Sequence, residues 1–183
     1  MRGVSQFLAA TWMAMALPGC GDSVVGVPVP DEPGEATLAD FRTGPLVEPS
    51  AFSWIVLSTV RTDQSSQWDF AFALEVDGTA QLFPRASVLE QPSTAGLQIV
   101  NVSFEDLTVA PPSGYITDEP VTVQVGDVLA AVSRRQCGSF ALVRYGKLEI
   151  LDIDLIRGRL TFKQLANPNC ENPNLVPREA GEV

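Results

Sequence analysis

From residue 68 to residue 77, bulky side chains alternate with small or acidic ones. Trp68, Phe70, Phe72, Leu74 and Val76 stand against Asp69, Ala71, Ala73, Glu75 and Asp77. A period of two marks a strand with one buried face, so the bulky set is expected in a core and Asp69 and Glu75 in solvent. Asp77-Gly78 then predicts a hairpin, because glycine accepts the positive φ of a tight turn, and residues 79–83 return. Residues 52–60, FSWIVLSTV, are apolar in both parities, as in a strand covered on both sides. Further strands are predicted at 97–104 and 121–125, and a meander at 127–133, 140–154 and 159–166, with Arg157-Gly158 as its last turn. Within the meander Leu148 and Ile150 share one phase, whereas Leu151, Ile153 and Leu155 share the other. A one-residue bulge near Ile150 or Leu151 reconciles them. The pattern predicts an all-β fold, an antiparallel β-sandwich or partly open barrel of about eight strands, over residues 51–176.

The first 20 residues follow a different logic. Arg2 supplies a cationic start, and residues 7–17 form an apolar run too short to span a bilayer. The run ends in Leu17-Pro18-Gly19-Cys20, which resembles the bacterial lipobox, with Pro18 where a small residue is usual. Residues 1–19 are therefore expected to be a signal peptide, and Cys20 the lipidated first residue of the mature chain. The alternative is an ordinary cleaved signal in which Cys20 is incidental. Acyl chains bury about 0.8 kcal/mol per methylene and hold a protein on a membrane without a helix. Residues 20–50 carry Pro28, Pro30, Pro33, Pro45 and Pro49, four glycines and more acids than bases. Few apolar groups remain there to offset the entropy of ordering, so a flexible tether is expected, with its last positions available as an edge strand. Residues 177–183 are expected as a disordered tail.

Charge narrows the function classes. The chain of 183 residues carries a formal net charge of −10, which disfavours nucleic acid as a partner. Histidine is absent, which removes histidine metal ligands, Ser-His-Asp and Cys-His catalysis. No Gly-rich phosphate loop, GxSxG elbow or CxxC pair occurs.

Of the three cysteines, Cys20 is assigned to the lipid, leaving Cys137 and Cys170. An even remainder in an exported chain favours a disulfide, the alternative being two free buried thiols. Simple hairpin register leaves these two out of line, so a bulge or loop has to close the gap. Asp152 and Asp154, two apart on a strand, share one side and are candidates for a cation; a solvated face is the competing reading. Glu105 with Asp106, or Asp118 with Glu119, would make an acid–base pair only across a cleft. Arg134 and Arg135 form a local basic spot, for an anion or for the acidic surface. Trp54, Trp68 and Tyr115 are candidates for stacking on a ligand or for core packing.

Trp68-Asp69-Phe70-Ala71-Phe72, Val125-Gly126-Asp127-Val128, Arg144-Tyr145-Gly146-Lys147-Leu148 and Asn167-Pro168-Asn169-Cys170 together resemble a group of uncharacterised bacterial β-rich lipoproteins. More distantly, the first of these segments is similar to haem-capturing surface lipoproteins, which are all-β. Their haem ligands do not carry over: histidine is missing, and Met1, Met13 and Met15 all lie in the signal. What the resemblance implies is an exported, membrane-anchored lipoprotein of the bacterial envelope, on the outer membrane or the periplasmic face. Its expected role is non-enzymatic binding of an unknown protein or small-molecule ligand, or an envelope structural one, as a monomer without cofactor or metal. The alternative is a carboxylate-dependent hydrolase of envelope glycan.

Overall fold

The computed structural model describes residues 28–30 and 33–176, so the signal peptide, Cys20 and the 177–183 tail lie outside the described residues. The longest hairpin joins β9 (Tyr145–Asp154) to β10 (Arg159–Ala166). Its turn closes because the Asp154 carboxylate accepts the N–H groups of Ile156 and Arg157, while Gly158 takes φ 63°. Register slips where Thr161 faces Asp152 but Phe162 faces Ile150, which leaves Leu151 as the extra residue. That bulge lets Leu148 and Ile150 enter the core in one phase and Ile153 pack against it in the other. Leu165 breaks the phase of Leu160 and Phe162 because it packs on the opposite side of the sheet.

β8 (Val128–Val132) pairs with β9, and β6 (Gly96–Val100) with β8. On the far edge lies β1 (Gly34–Ala39), antiparallel to β10 from Gly34↔Gln164 to Ala39↔Arg159. Residues 34–39 are therefore part of the folded body, where a tether had been expected as far as residue 50. Composition understated the segment. Leu38 is fully buried, Ala39 N–H donates to Pro49, and the Asp40 carboxylate accepts the N–H groups of Arg42, Thr43 and Leu74. These contacts supply what the prolines and acids do not.

The second sheet runs β3 (Ser58–Val60), β2 (Ala51–Ser53), β4 (Phe70–Leu74), β5 (Ala80–Pro84) and β7 (Val121–Thr122). The expected continuous strand 52–60 is a hairpin: the chain reverses over residues 54–57, with Leu57 at φ 51° and the Trp54 side chain buried in the core. β4 and β5 meet at the expected turn, where Gly78 has φ 85° and the Asp77 carboxylate accepts Thr79 N–H. A single-turn helix, α1 (Arg85–Leu89), follows β5.

The two five-stranded antiparallel sheets make a β-sandwich. Between them Phe52, Phe70 and Phe162 form a triangle with centroids 5.4 to 5.8 Å apart, and Trp54 lies edge-on to Phe52 at 5.0 Å. Each such ring contributes about 1.5–3 kcal/mol by burial and the pairs a little more. Both outer faces are also partly covered. Val29, Phe104, Leu107, Ala110 and Leu175 pack over Val128, Ala130 and Leu165, while Phe41, Val60, Val88 and Leu89 pack over Ala51, Trp68 and Ala71. The 101–117 loop thus covers a face of the first sheet. Cys137 and Cys170 are joined, with Cα atoms 5.6 Å apart. The expected strand at 140–154 starts only at Tyr145, because residues 137–142 double back, Cys137 pairing with Leu142, to bring the thiols level.

Candidate functional site

At one end of the sandwich polar groups are buried and, apart from Trp68 Nε1 and Arg144 Nε, hydrogen-bonded. Asp69 precedes β4, where its parity predicted solvent, yet it is only 2% exposed. Its carboxylate accepts Trp54 N–H at 2.6 Å, Arg134 N–H at 2.7 Å and Arg134 Nη1 at 3.0 Å. The same guanidinium donates to Ser53, Gln67 and Gln136, so Arg134, which follows β8, ties one sheet to the other. Burial pushes the Asp69 carboxyl up, against the pull of the Arg134 charge and of the N–H donors of Arg134 and Trp54. Beside this clasp Arg144 donates to the carbonyls of Trp54, Ile55 and Pro168. Apart from Arg144 Nε, which is buried without a partner, the side-chain groups named here end on protein partners, which makes the cluster a fastener.

The other candidates are dispersed. Asp154 is taken up by its turn and by Arg157, and Asp152 faces solvent. Glu105 pairs with Lys163, Asp106 accepts from Ser103, and Asp118 and Glu119 are exposed. Asp40 and Glu75 line one groove together, but Asp40 holds three backbone N–H groups and Glu75 pairs with Arg42. Among the described residues no three of Cys, Asp and Glu gather as a metal site would require. Trp54 and Trp68 are fully buried, and Tyr115 donates its hydroxyl to Pro111, so none presents a stacking face. Burial, with Tyr145 nearby, pushes the Tyr115 hydroxyl upward, away from acid–base use at neutral pH. Lys147 is a buried lysine that the sequence did not single out; its ammonium donates to the carbonyls of Phe104 and Leu107 and fixes the outer loop.

The opposite end is built from turns: the β4–β5 tip, the β9–β10 tip, the 123–127 connection and the start of the 40–50 loop. Here Val76, Val125, Leu155 and Ile156 stand exposed, Val76 and Ile156 fully so. Leu155 is the shared wall of two grooves. One, of about 390 Å³, lies between Thr79, Thr122, Val125 and Leu155; the other, of about 370 Å³, lies between Pro45, Val76, Leu155 and Ile156. Arg42–Glu75 and Arg157–Asp154 ion pairs flank the second groove. Hydrogen bonds from Arg157 and Ile156 hold the Asp154 carboxyl below its ordinary value, and those from Thr79 do the same for Asp77, so both remain charged at neutral pH. The end therefore offers apolar surface and fixed charge, which suits binding and not proton transfer.

Alternation had assigned Val76 to the core. The signal that places it elsewhere is local: Val76 adjoins the turn dipeptide Asp77-Gly78, as Leu155-Ile156 precedes Arg157-Gly158, and polar residues are the rule at turns. No protein-family model matches the chain, and neither the curated proteins nor the solved structures hold a significant match to it.

Proposed function

We propose that this chain is an exported bacterial lipoprotein, anchored through an acylated Cys20, that binds a partner without chemistry at the hairpin end of its sandwich. The observation that carries the binding role is the grouping of Val76, Val125, Leu155 and Ile156 around two grooves at one end. Scattered exposed apolar side chains are ordinary, but four around shared grooves mark a contact surface. The Cys137–Cys170 bridge supports residence outside the cytosol, where such bonds persist. It also leaves Cys20 as the remaining cysteine, in the Leu17-Pro18-Gly19-Cys20 setting. The resemblance to bacterial β-rich lipoproteins belongs to the same proposal.

Labelled palmitate should enter the wild type and not Cys20→Ala. A photo-crosslinking residue at Ile156 should give a discrete adduct on intact cells, and one at exposed Glu119 should not. Equal adducts from both positions, or none from either, would remove the hairpin end as the binding surface.

A further inference from the structure

The chain is strongly acidic, so a cation without a carboxylate needs explaining. Of its twelve basic residues Arg2 and Arg178 lie outside the described residues. Six others pair with acids: Arg42, Arg61, Arg134, Arg157, Arg159 and Lys163. Arg144 and Lys147 are spent on backbone carbonyls. Arg85 and Arg135 are left, without an acidic partner among the described residues. Both line one groove of about 380 Å³. Arg134 forms part of its wall, together with Ser93, Thr94 and Gln136, and no carboxylate lines it. Arg85 is held by a single bond from Nε to Ser66 O, which leaves its terminal nitrogens available. Arg135 is exposed, and its side chain makes no bond within the described residues.

We infer that this groove is a binding site for a phosphate- or sulfate-type oxyanion. Arginine forks present paired N–H donors that match such a group, and two unneutralised forks on one groove give it a local positive field inside an acidic surround. The Ser93 hydroxyl, which accepts Ala95 N–H and keeps its own proton, and the Gln136 amide nitrogen add donors of the kind oxyanions accept, whereas the Thr94 hydroxyl donates to Ser133 O. The buried Asp69 carboxylate behind Arg134 is already matched by that side chain, so it fixes the wall and does not cancel Arg85 or Arg135. The site lies at the end away from the apolar tips and stands independently of the function proposed for them.

The test is calorimetric titration of the mature chain with inorganic phosphate and with sulfate, at ionic strength held constant with chloride. A saturable response is expected, weakened about tenfold or more in Arg85→Gln/Arg135→Gln, the factor that loss of one charge-assisted bond gives. Arg134 is left intact because it closes the Asp69 clasp, and circular dichroism should show the double variant folded. Flotation of the Cys20→Ala chain, which has no acyl anchor, with phosphatidylglycerol vesicles, against phosphatidylcholine alone, separates the sources. Arginine-dependent flotation identifies a lipid headgroup, whereas phosphate binding without flotation identifies a soluble ligand. No saturable response above chloride, or an equal response from the double variant, overturns the inference.

Discussion

The indole of Trp54 occupies the space that a side chain on Gly146 would need. A Cβ built on Gly146 would lie 2.5 Å from Cζ3 and 2.8 Å from Cε3 of that ring. Gly146 sits near the start of β9 and Trp54 in the β2–β3 turn, so this contact sets how closely the two sheets approach. Gly146→Ala should cost about 1–3 kcal/mol by overpacking, since the ring has no free volume to retreat into. A lower urea midpoint with unchanged slope would bear this out; a neutral result would show that the sheets can shift apart.

The Asp69–Arg134 clasp should be costly to break from either side. Asp69→Ala leaves a guanidinium that is 7% exposed without its charge partner, and strips the acceptor from the N–H groups of Trp54 and Arg134. The expected loss is about 3–5 kcal/mol. Replacing Asp69 and Arg134 together by apolar residues should lose less than the sum of the single changes, measured as a double-mutant cycle in urea.

Opening the Cys137–Cys170 bridge releases a loop with a sequence separation of 33. Cys137→Ser/Cys170→Ser should lower stability by about 3–4 kcal/mol in the loop-entropy account. Denaturation of the oxidised wild type beside the double variant checks it. Equal midpoints would mean that residues 137–144 hold their shape without the covalent link.

A pH dependence follows from the outer loop. Its own backbone N–H and the Lys163 ammonium hold the Glu105 carboxyl below its ordinary 4.5. A depressed carboxyl contributes stability above that ordinary value and loses it as pH falls through the folded value. Lys163 is raised above its ordinary 10.5, chiefly by Glu149 and then by Glu105, against some desolvation. Its contribution is complete below 10.5 and fades as pH rises through the raised value. Lys147, whose ammonium holds the same loop, is lowered from its ordinary 10.5 by burial and so titrates before Lys163. Local protection of residues 103–107 in hydrogen exchange, corrected for intrinsic rates, should therefore be flat around neutral pH and fall as pH drops below 4.5 through the folded value of Glu105. In Lys163→Met the acid limb should shrink.

Features set by neighbours in the chain were legible beforehand. Asp77-Gly78 and Arg157-Gly158 turn as read, Leu151 is the bulge that the phase change required, and the two distal cysteines meet. What escaped depends on residues far away in sequence. Asp69 has the parity of a solvated residue, and only Arg134, 65 positions on, takes its carboxylate out of water. Ala71 lies on an outer face that Val88 and Leu89 cover, and no pattern within β4 announces them. β1 was hidden by the prolines and acids on either side of it, because its stability comes from a partner strand and not from its composition. Val76 was misassigned for a related reason: period two holds through it, but the strand ends at Leu74. Arg85 entered no expectation, since a lone arginine gains meaning only beside Arg135.

The pairing of β1 with β10 also sets an order of events during synthesis. Gly34 emerges from the ribosome long before its partner Gln164 exists. At ordinary elongation rates the gap is on the order of ten seconds, during which the first edge of the sheet has nothing to pair with. The nascent chain thus remains open, with an unsealed seam, until β10 is made. Closure is a late step that joins β1 to β10, and a truncation short of residue 159 should never reach it.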